Sequence, residues 1–497
     1  MNAVLVAVLA LPALGALAAG LARSERAGSL AGTAAAALAL IAAVALGFDR
    51  HAPSAGTIRP WHQVNEPWVS ALNLRFHIGV DGISYPLVVL TALLTLLCCL
   101  YVLFRVEDAA RGQLLIALLL AVEVGIAGVF LSLDLVLFFI FFEVVLVPMY
   151  AIIAGWGGEG RRHAAVKFLL YTLFGSVLLL VGVFLVVTKA GTADLIVLSS
   201  GRGAALSSGT QLAAFVLLGL AFAVKSPLWP LHTWLPDAHT EAPTVGSVIL
   251  AGVLLKMGTY GLLRVAVGVL PDAARRVAPV LGVLAAAAII IGCLVCLAQD
   301  ELKRLIAYSS VGHMGFVLLG IATMTSIGFT AALIGNIAHG IITGLLFFLA
   351  GAVKHRTHTG RLTDLGGLRE RAPALAGLLA FAAIASLGLP GLAGFWGEAF
   401  AVVASLRRNQ PLWTVLGVLA AIGGVLTAAY FLRMLRRVTH GEASPAVSGV
   451  GPAIARAEWI AWAPLVLLAL AVGLIPAAVL NMARTTVAAL ASAVVGR

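Results

Sequence analysis

The chain has 497 residues, of which 61% are hydrophobic and only 11% charged. A soluble chain of this length carries about 25% charged residues, and apolar runs of about 18 or more residues that recur from end to end exclude a water-soluble globule. A net charge of +11 suggests nucleic acid in a soluble protein, but here the cations sit in short loops between apolar runs, where the positive-inside rule places them, and a nucleic-acid partner is not expected.

In chain order the runs predict fourteen spans: 2–22, 28–48, 79–104, 113–132, 134–154, 164–188, 211–230, 244–268, 277–298, 302–322, 327–353, 374–406, 411–435 and 457–481. Met1 opens an apolar run without the basic segment of a signal peptide, so the first span is read as retained. The longest loop, 49–78, holds Trp61 and Trp68 as interfacial anchors. No long polar segment separates two domains, so 1–497 reads as one all-α polytopic membrane domain. Of the 32 Lys and Arg residues, 18 fall in loops after odd-numbered spans, Arg105 among them. Another 12 fall in the other loops and the C-terminus, Arg497 among them. This bias places both termini outside.

Two spans are interrupted. After QLAAFVLLGLAFAV comes Lys225, then Ser226, Pro227 and Pro230; in SLGLPGLAGFWGEAF (386–400), Pro390 stands between glycines. Proline removes a backbone donor and clashes with the preceding turn. In lipid the freed carbonyls must be satisfied by protein or water, so broken helices line cavities. A tryptophan follows each break, Trp234 and Trp396, and the next helices end alike, in Thr259–Arg264 and Ala429–Arg433. This points to two five-helix repeats, 113–268 and 277–438, flanked by 1–105 and 457–481. Five is odd, so successive copies insert with opposite topology, as in many ion transporters.

Ionisable groups at bilayer depth are costly and need a reason. Glu143 lies about ten residues from either end of its span, too short and too deep to snorkel, and Glu123 sits mid-span. Lys256 is central in its helix, with Tyr260 and Arg264 following on the same face. Asn336, His339 and Thr343 form a polar stripe, His313 follows Tyr308-Ser309-Ser310, and Glu398 stands just past the second break. Blander readings stay open for several. Lys225 is near a span end, where lysine also snorkels. Lys256 equally fits a static buried ion pair, the histidines equally fit helix–helix hydrogen bonds, and Glu123 equally fits a bond to neighbouring backbone. As a set, Glu143, Lys225, Lys256, His339 and Glu398 alternate between groups that hold and release protons. A lysine grips its proton more tightly beside a carboxylate and less tightly when desolvated. Opening a Glu143–Lys225 pair would push the lysine's proton onward, a lever of several kcal/mol at low dielectric. Moving one charge across 100 mV costs about 2.3 kcal/mol.

The sequence has no P-loop, dinucleotide fingerprint or iron–sulfur cysteine framework. Its four cysteines, Cys98, Cys99, Cys293 and Cys296, lie inside apolar runs, and no metal or cofactor site is expected in the chain. Such a chain exchanges ions down a gradient or is driven by a partner.

Five stretches carry a family resemblance: FHIGVDGISYPLVVLTALLT (76–95), FFEVVLVPMY (141–150), the block 225–264 from KSPLWPLHTWLPDAHTEAP to KMGTYGLLR, AYSSVGHMGFV (307–317) and LPGLAGFWGE (389–398). The chain resembles the antiporter-like subunits of respiratory complex I, the proton-pumping NADH–quinone oxidoreductase. The resemblance implies fourteen helices in two inverted five-helix repeats, each with a broken helix. It implies Glu143 and Lys225 as the controlling pair, Lys256 and His339 as central relays and Glu398 as the exit group, with Glu123 and His313 also on the axis. It further implies FMN, iron–sulfur clusters and quinone in partner subunits, two further antiporter-like chains beside this one, a redox peripheral arm, and the cell inner membrane as the location. The alternatives are a subunit of a multi-subunit Na⁺/H⁺ antiporter, which shares the 225–264 block, or of a membrane hydrogenase. Antiporter subunits, and two of the three antiporter-like chains of complex I, typically place lysine at the second break; this chain has Glu398.

Overall fold

The computed structural model describes residues 1–51, 56–69, 74–104 and 110–495. Arg105 and Arg497, both counted in the loop-charge bias, lie outside the described residues. Among the described residues fourteen helices are long and apolar enough to cross a membrane. The first five are α1 (Asn2–Leu21), α2 (Glu25–Ala45), α3 (Ser84–Leu103), α4 (Gly112–Leu131) and α5 (Leu135–Trp156). The chain continues through α6 (Arg161–Ala190) and α7 (Ser208–Lys225), followed by the short α8 (Trp234–Glu241) and the long α9 (Thr244–Val267). Then come α10 (Pro271–Ala298), α11 (Leu302–Ala322), α12 (Ser326–Thr357), two half-length helices α13 (Pro373–Ser386) and α14 (Ala393–Leu406), and α15 (Pro411–Thr439). The last two are α16 (Arg456–Leu474) and α17 (Ala477–Val495).

Both expected breaks are present. The first separates α7 from α8 over residues 226–233. The second separates α13 from α14, with Gly388 and Gly391 at φ +74° and +93° on either side of Pro390. Those dihedrals are open to glycine and strained for other residues.

Two features depart from the sequence reading. The span expected at 457–481 stops at Leu474, because Pro476 has no N–H to continue the ladder. The residues beyond form α17, which runs along one face. Its successive turns meet Gly82, Gly268 and the Arg275 guanidinium, all at that face. It buries Ala483, Val487, Leu490, Ala491 and Val494 and exposes Arg484, Thr485 and Ser492, an interfacial pattern. The other departure is a β-hairpin inside the 49–78 loop, a small exception to the all-α reading: β1 (His62–Val69) pairs antiparallel with β2 (Leu74–Val80). Trp61 packs at 5.5 Å on Tyr85, and Trp68 is exposed.

The loops sort into two faces. On the basic face Gly158 donates to the Glu241 carbonyl, Leu302 to Gly360, and Arg356 pairs with Glu458 at 2.6 Å. Asp237 there binds both Lys167, at 2.6 Å, and Arg304, at 3.0 Å, tying α6, α8 and α11 together. On the hairpin face Leu133 donates to the His77 carbonyl and Leu195 to Leu133. His77 sits between Asp194 at 3.1 Å and Gln63 at 3.2 Å. Burial pushes the Asp194 carboxyl up, but the His77 bond and the Val197 and Ile196 amides outweigh it and hold the group below its ordinary value.

Candidate functional site

The site is a row of buried polar side chains between the two breaks. Lys225 ends α7 and is buried at 2% exposure. The break frees the Val224 carbonyl, since Leu228 donates to Ala223 instead, and the Trp234 indole N–H takes its place at 3.0 Å. The Trp396 indole likewise donates to the Gly473 carbonyl at the end of α16, 2.8 Å away.

The Lys225 ammonium lies 4.8 Å from the centre of the Phe142 ring, a cation–π distance. Glu143 is the acid whose charge acts on it. Among the described residues no ion pair joins the two, and one Glu143 oxygen is buried without a partner. The expected Glu143–Lys225 pair is therefore open in this conformation, with the aromatic ring taking the cation. Glu123, 2% exposed, also keeps an oxygen unpartnered and stands apart from the contacts that follow.

From the centre onward the groups lie close together. Lys256 is fully buried on α9, between two π-helical turns, Leu250–Leu254 and Leu262–Val267. Such turns inside α-helices are frequent at functional sites. Its ammonium donates to the Ala251 carbonyl and, at 2.7 Å, to His339 Nδ1 on α12. That contact needs α9 and α12 to approach closely: a Cβ on Gly340 would stand 2.5 Å from the Gly252 carbonyl oxygen. Thr259 binds Asn336 at 2.9 Å, fixing the same crossing.

A neutral His339 that accepts at Nδ1 carries its proton on Nε2. Nε2 is buried without a partner. His339 lines a cavity of about 30 Å³ together with His313, Thr343, Ser386 and Glu398. That is room for one or two waters. The His313 ring stands 5.7 Å from the His339 ring, centre to centre. Its Nδ1 meets Glu398 at 2.8 Å and its Nε2 meets Ser386 at 3.0 Å. Lys256, His339, His313 and Glu398 thus form a row of ionisable groups, hydrogen-bonded at its two ends and joined in the middle across the cavity, that ends at the second break.

Two residues escaped the sequence reading. His239 on α8 is fully buried, stacked 4.4 Å from Phe347, with both ring nitrogens unpartnered. The charges of Lys303 and Lys256 both act on it, so it lies between the basic face and the centre. Its signal was a histidine in the short helix that follows the first break. Asp81, 1% exposed, pairs with Arg264 at the hairpin-face end of α9; its signal was a carboxylate in an otherwise apolar stretch.

Residues 132–424 match the family described as NADH:quinone oxidoreductase/Mrp antiporter, TM. The chain belongs to this family. It is 41% identical over 415 residues to NADH-quinone oxidoreductase subunit M of Rickettsia prowazekii (strain Madrid E), covering 84% of this chain and 83% of that one. With subunit M of Rhodobacter capsulatus it shares 40% over 453 residues, covering 89% and 86%. Among solved structures, a chain of respiratory complex I from Thermus thermophilus with bound NADH matches with a TM-score of 0.88 and 31% identity, covering 99% of both chains. A chain of the Mrp complex from Dietzia sp. DQ12-45-1b matches with a TM-score of 0.86 but 24% identity, which speaks to fold alone.

Proposed function

We propose that this chain is a subunit-M-type membrane subunit of NADH:quinone oxidoreductase and carries protons across the bilayer while other subunits pass electrons from NADH to quinone. Its relatives bear that name over more than four-fifths of their length. The observation that carries the proton role is the row Lys256–His339–His313–Glu398, bridged by a cavity between the two histidines and anchored at a broken helix.

Protons enter from the basic face, the inside, past His239 to Lys225 and Lys256. Lys256 passes a proton to His339, whose Nε2–H faces the cavity; His313 takes it, through a water the cavity has room for, and Glu398 releases it toward the hairpin face, the outside. From Lys256 onward, Lys256–His339 and His313–Glu398 are in direct hydrogen-bond reach and the cavity between the two histidines has room for a bridging water, the geometry general acid–base transfer needs. Glu143 sets the grip of Lys225 on its proton: closing the pair loads the lysine, and the open arrangement on Phe142 frees it. FMN, iron–sulfur clusters and quinone sit in partner subunits, two further antiporter-like chains flank this one, and the assembly lies in the cell inner membrane. The two five-helix segments, 113–268 and 277–438, act as the two halves of the path.

The test is to solubilise native membranes gently, isolate this chain and identify its companions by mass spectrometry. Flavin-, iron–sulfur- and NADH-binding companions are expected. Only small and antiporter-like membrane chains, with no redox protein, would instead mark a cation antiporter.

A further inference from the structure

The polar face of α9 does not stop at Lys256. Tyr260 and Arg264 follow at one-turn and two-turn spacing, which carries the stripe about 12 Å toward the hairpin face. A stripe of this kind offers a second way out, through the first half of the molecule and bypassing His339 and Glu398. The structure closes it. Arg264 is 3% exposed and its guanidinium binds Asp81, which is 1% exposed and is itself held by the Ile83 and Ser84 amides at 3.0 and 3.1 Å. The Tyr260 hydroxyl is turned away from this pair and donates to the Phe130 carbonyl at 3.0 Å. Arg264 Nε remains buried without a partner. Above the pair α17 seals the face: a Cβ on Gly82, beside Asp81, would meet the Met482 carbonyl oxygen at 2.0 Å.

The burial is not a by-product of the sequence pattern. The similar ending Ala429–Arg433 places Arg433 at the surface, 3.2 Å from an Asp300 that is 63% exposed. One copy is sealed and the other is wet.

We propose that Arg264, held by Asp81, is a plug that bars protons from leaving Lys256 along α9, and so directs them sideways to His339. An arginine is the side chain for this task because it does not give up its proton in proteins. Asp81 offsets the charge of the guanidinium, so what bars the proton is that the group filling this place on α9 does not release or relay one. Arg264 is thus a positioning residue for the direction of transfer and takes no proton itself.

This rests on the reading of the axis as a proton path, and it is tested without using that path's turnover. The assembled complex is reconstituted in vesicles containing a pH-sensitive dye, and the decay of an imposed pH gradient is followed with no NADH present. Arg264→Gln removes the fixed cation, and passive proton permeability is expected to rise about tenfold, the readout of about 1.4 kcal/mol off the barrier. Arg264→Lys keeps a cation against Asp81, so it restores a purely structural pair, but lysine exchanges its proton. Permeability is expected to stay raised in this variant too. An assembled Arg264→Lys complex with wild-type permeability would overturn the proposal, and it decides the matter alone if the Gln variant fails to assemble. Such a result would leave the proton-path reading standing, since that reading fails only if NADH-driven pumping survives loss of Lys256.

Discussion

His313 bridges two groups that never meet directly, His339 and Glu398. Its Nδ1 faces the Glu398 carboxylate and its Nε2 the Ser386 hydroxyl. An imidazole can take a proton on one nitrogen and release one from the other, which no amide or hydroxyl in this position does at neutral pH. His313→Phe keeps most of the volume and removes both nitrogens. Proton transfer through this chain should fall about hundredfold, the lower end of what a positioned proton-transfer group contributes. Proton ejection per NADH in vesicles checks this, with NADH oxidation in the presence of an uncoupler as the control for assembly. The sequence made the members of the series visible because each is a polar residue in an apolar run. It could not order them, because order depends on which helices cross. Lys256 meets His339 only because Gly252 and Gly340 let α9 and α12 touch, and a glycine pair 88 residues apart carries no local signal of that crossing. The Glu143–Lys225 pair shows the converse: both residues were legible, while the Phe142 ring that holds the lysine away from the carboxylate was one aromatic among many.

At the scale of elements, the broken helices depend on side chains that restore lost backbone bonds. Trp234 does this for Val224 at the first break. Trp234→Phe fills nearly the same space but leaves a buried carbonyl unsatisfied, at a cost of about 1–3 kcal/mol. The expected result is a lower thermal midpoint for the detergent-solubilised complex, read with a thiol-independent fluorescence probe; Trp68→Phe, at an exposed site, should leave the midpoint unchanged. The breaks themselves were legible because a proline inside an apolar run interrupts the backbone ladder of a spanning helix wherever it falls. The hairpin of β1 and β2 was not, because its alternation is short and lies in the longest polar loop. Nor was α17: its apolar residues recur at helical spacing right after α16, and only Pro476 marks where the chain turns from crossing to lying flat.

Across the whole molecule, the loop charges, the two faces and the flat α17 make one prediction. The start of α1 and the end of α17 are expected outside the cell, with the hairpin, and the basic face inside. The four native cysteines are all buried, so a membrane-impermeant maleimide has little to react with in the natural chain. A single added cysteine at Ser492, on the exposed side of α17, should label in intact cells, whereas one at Thr363, exposed on the basic face, should label only after the cells are opened.

The central claim is that protons pass through this chain by way of Lys256. The most direct measurement is the number of protons ejected per NADH oxidised in vesicles of the assembled complex carrying Lys256→Ala in this chain, compared with the natural one. The expected ratio is lower by this chain's whole share. An unchanged ratio in a fully assembled complex would contradict it.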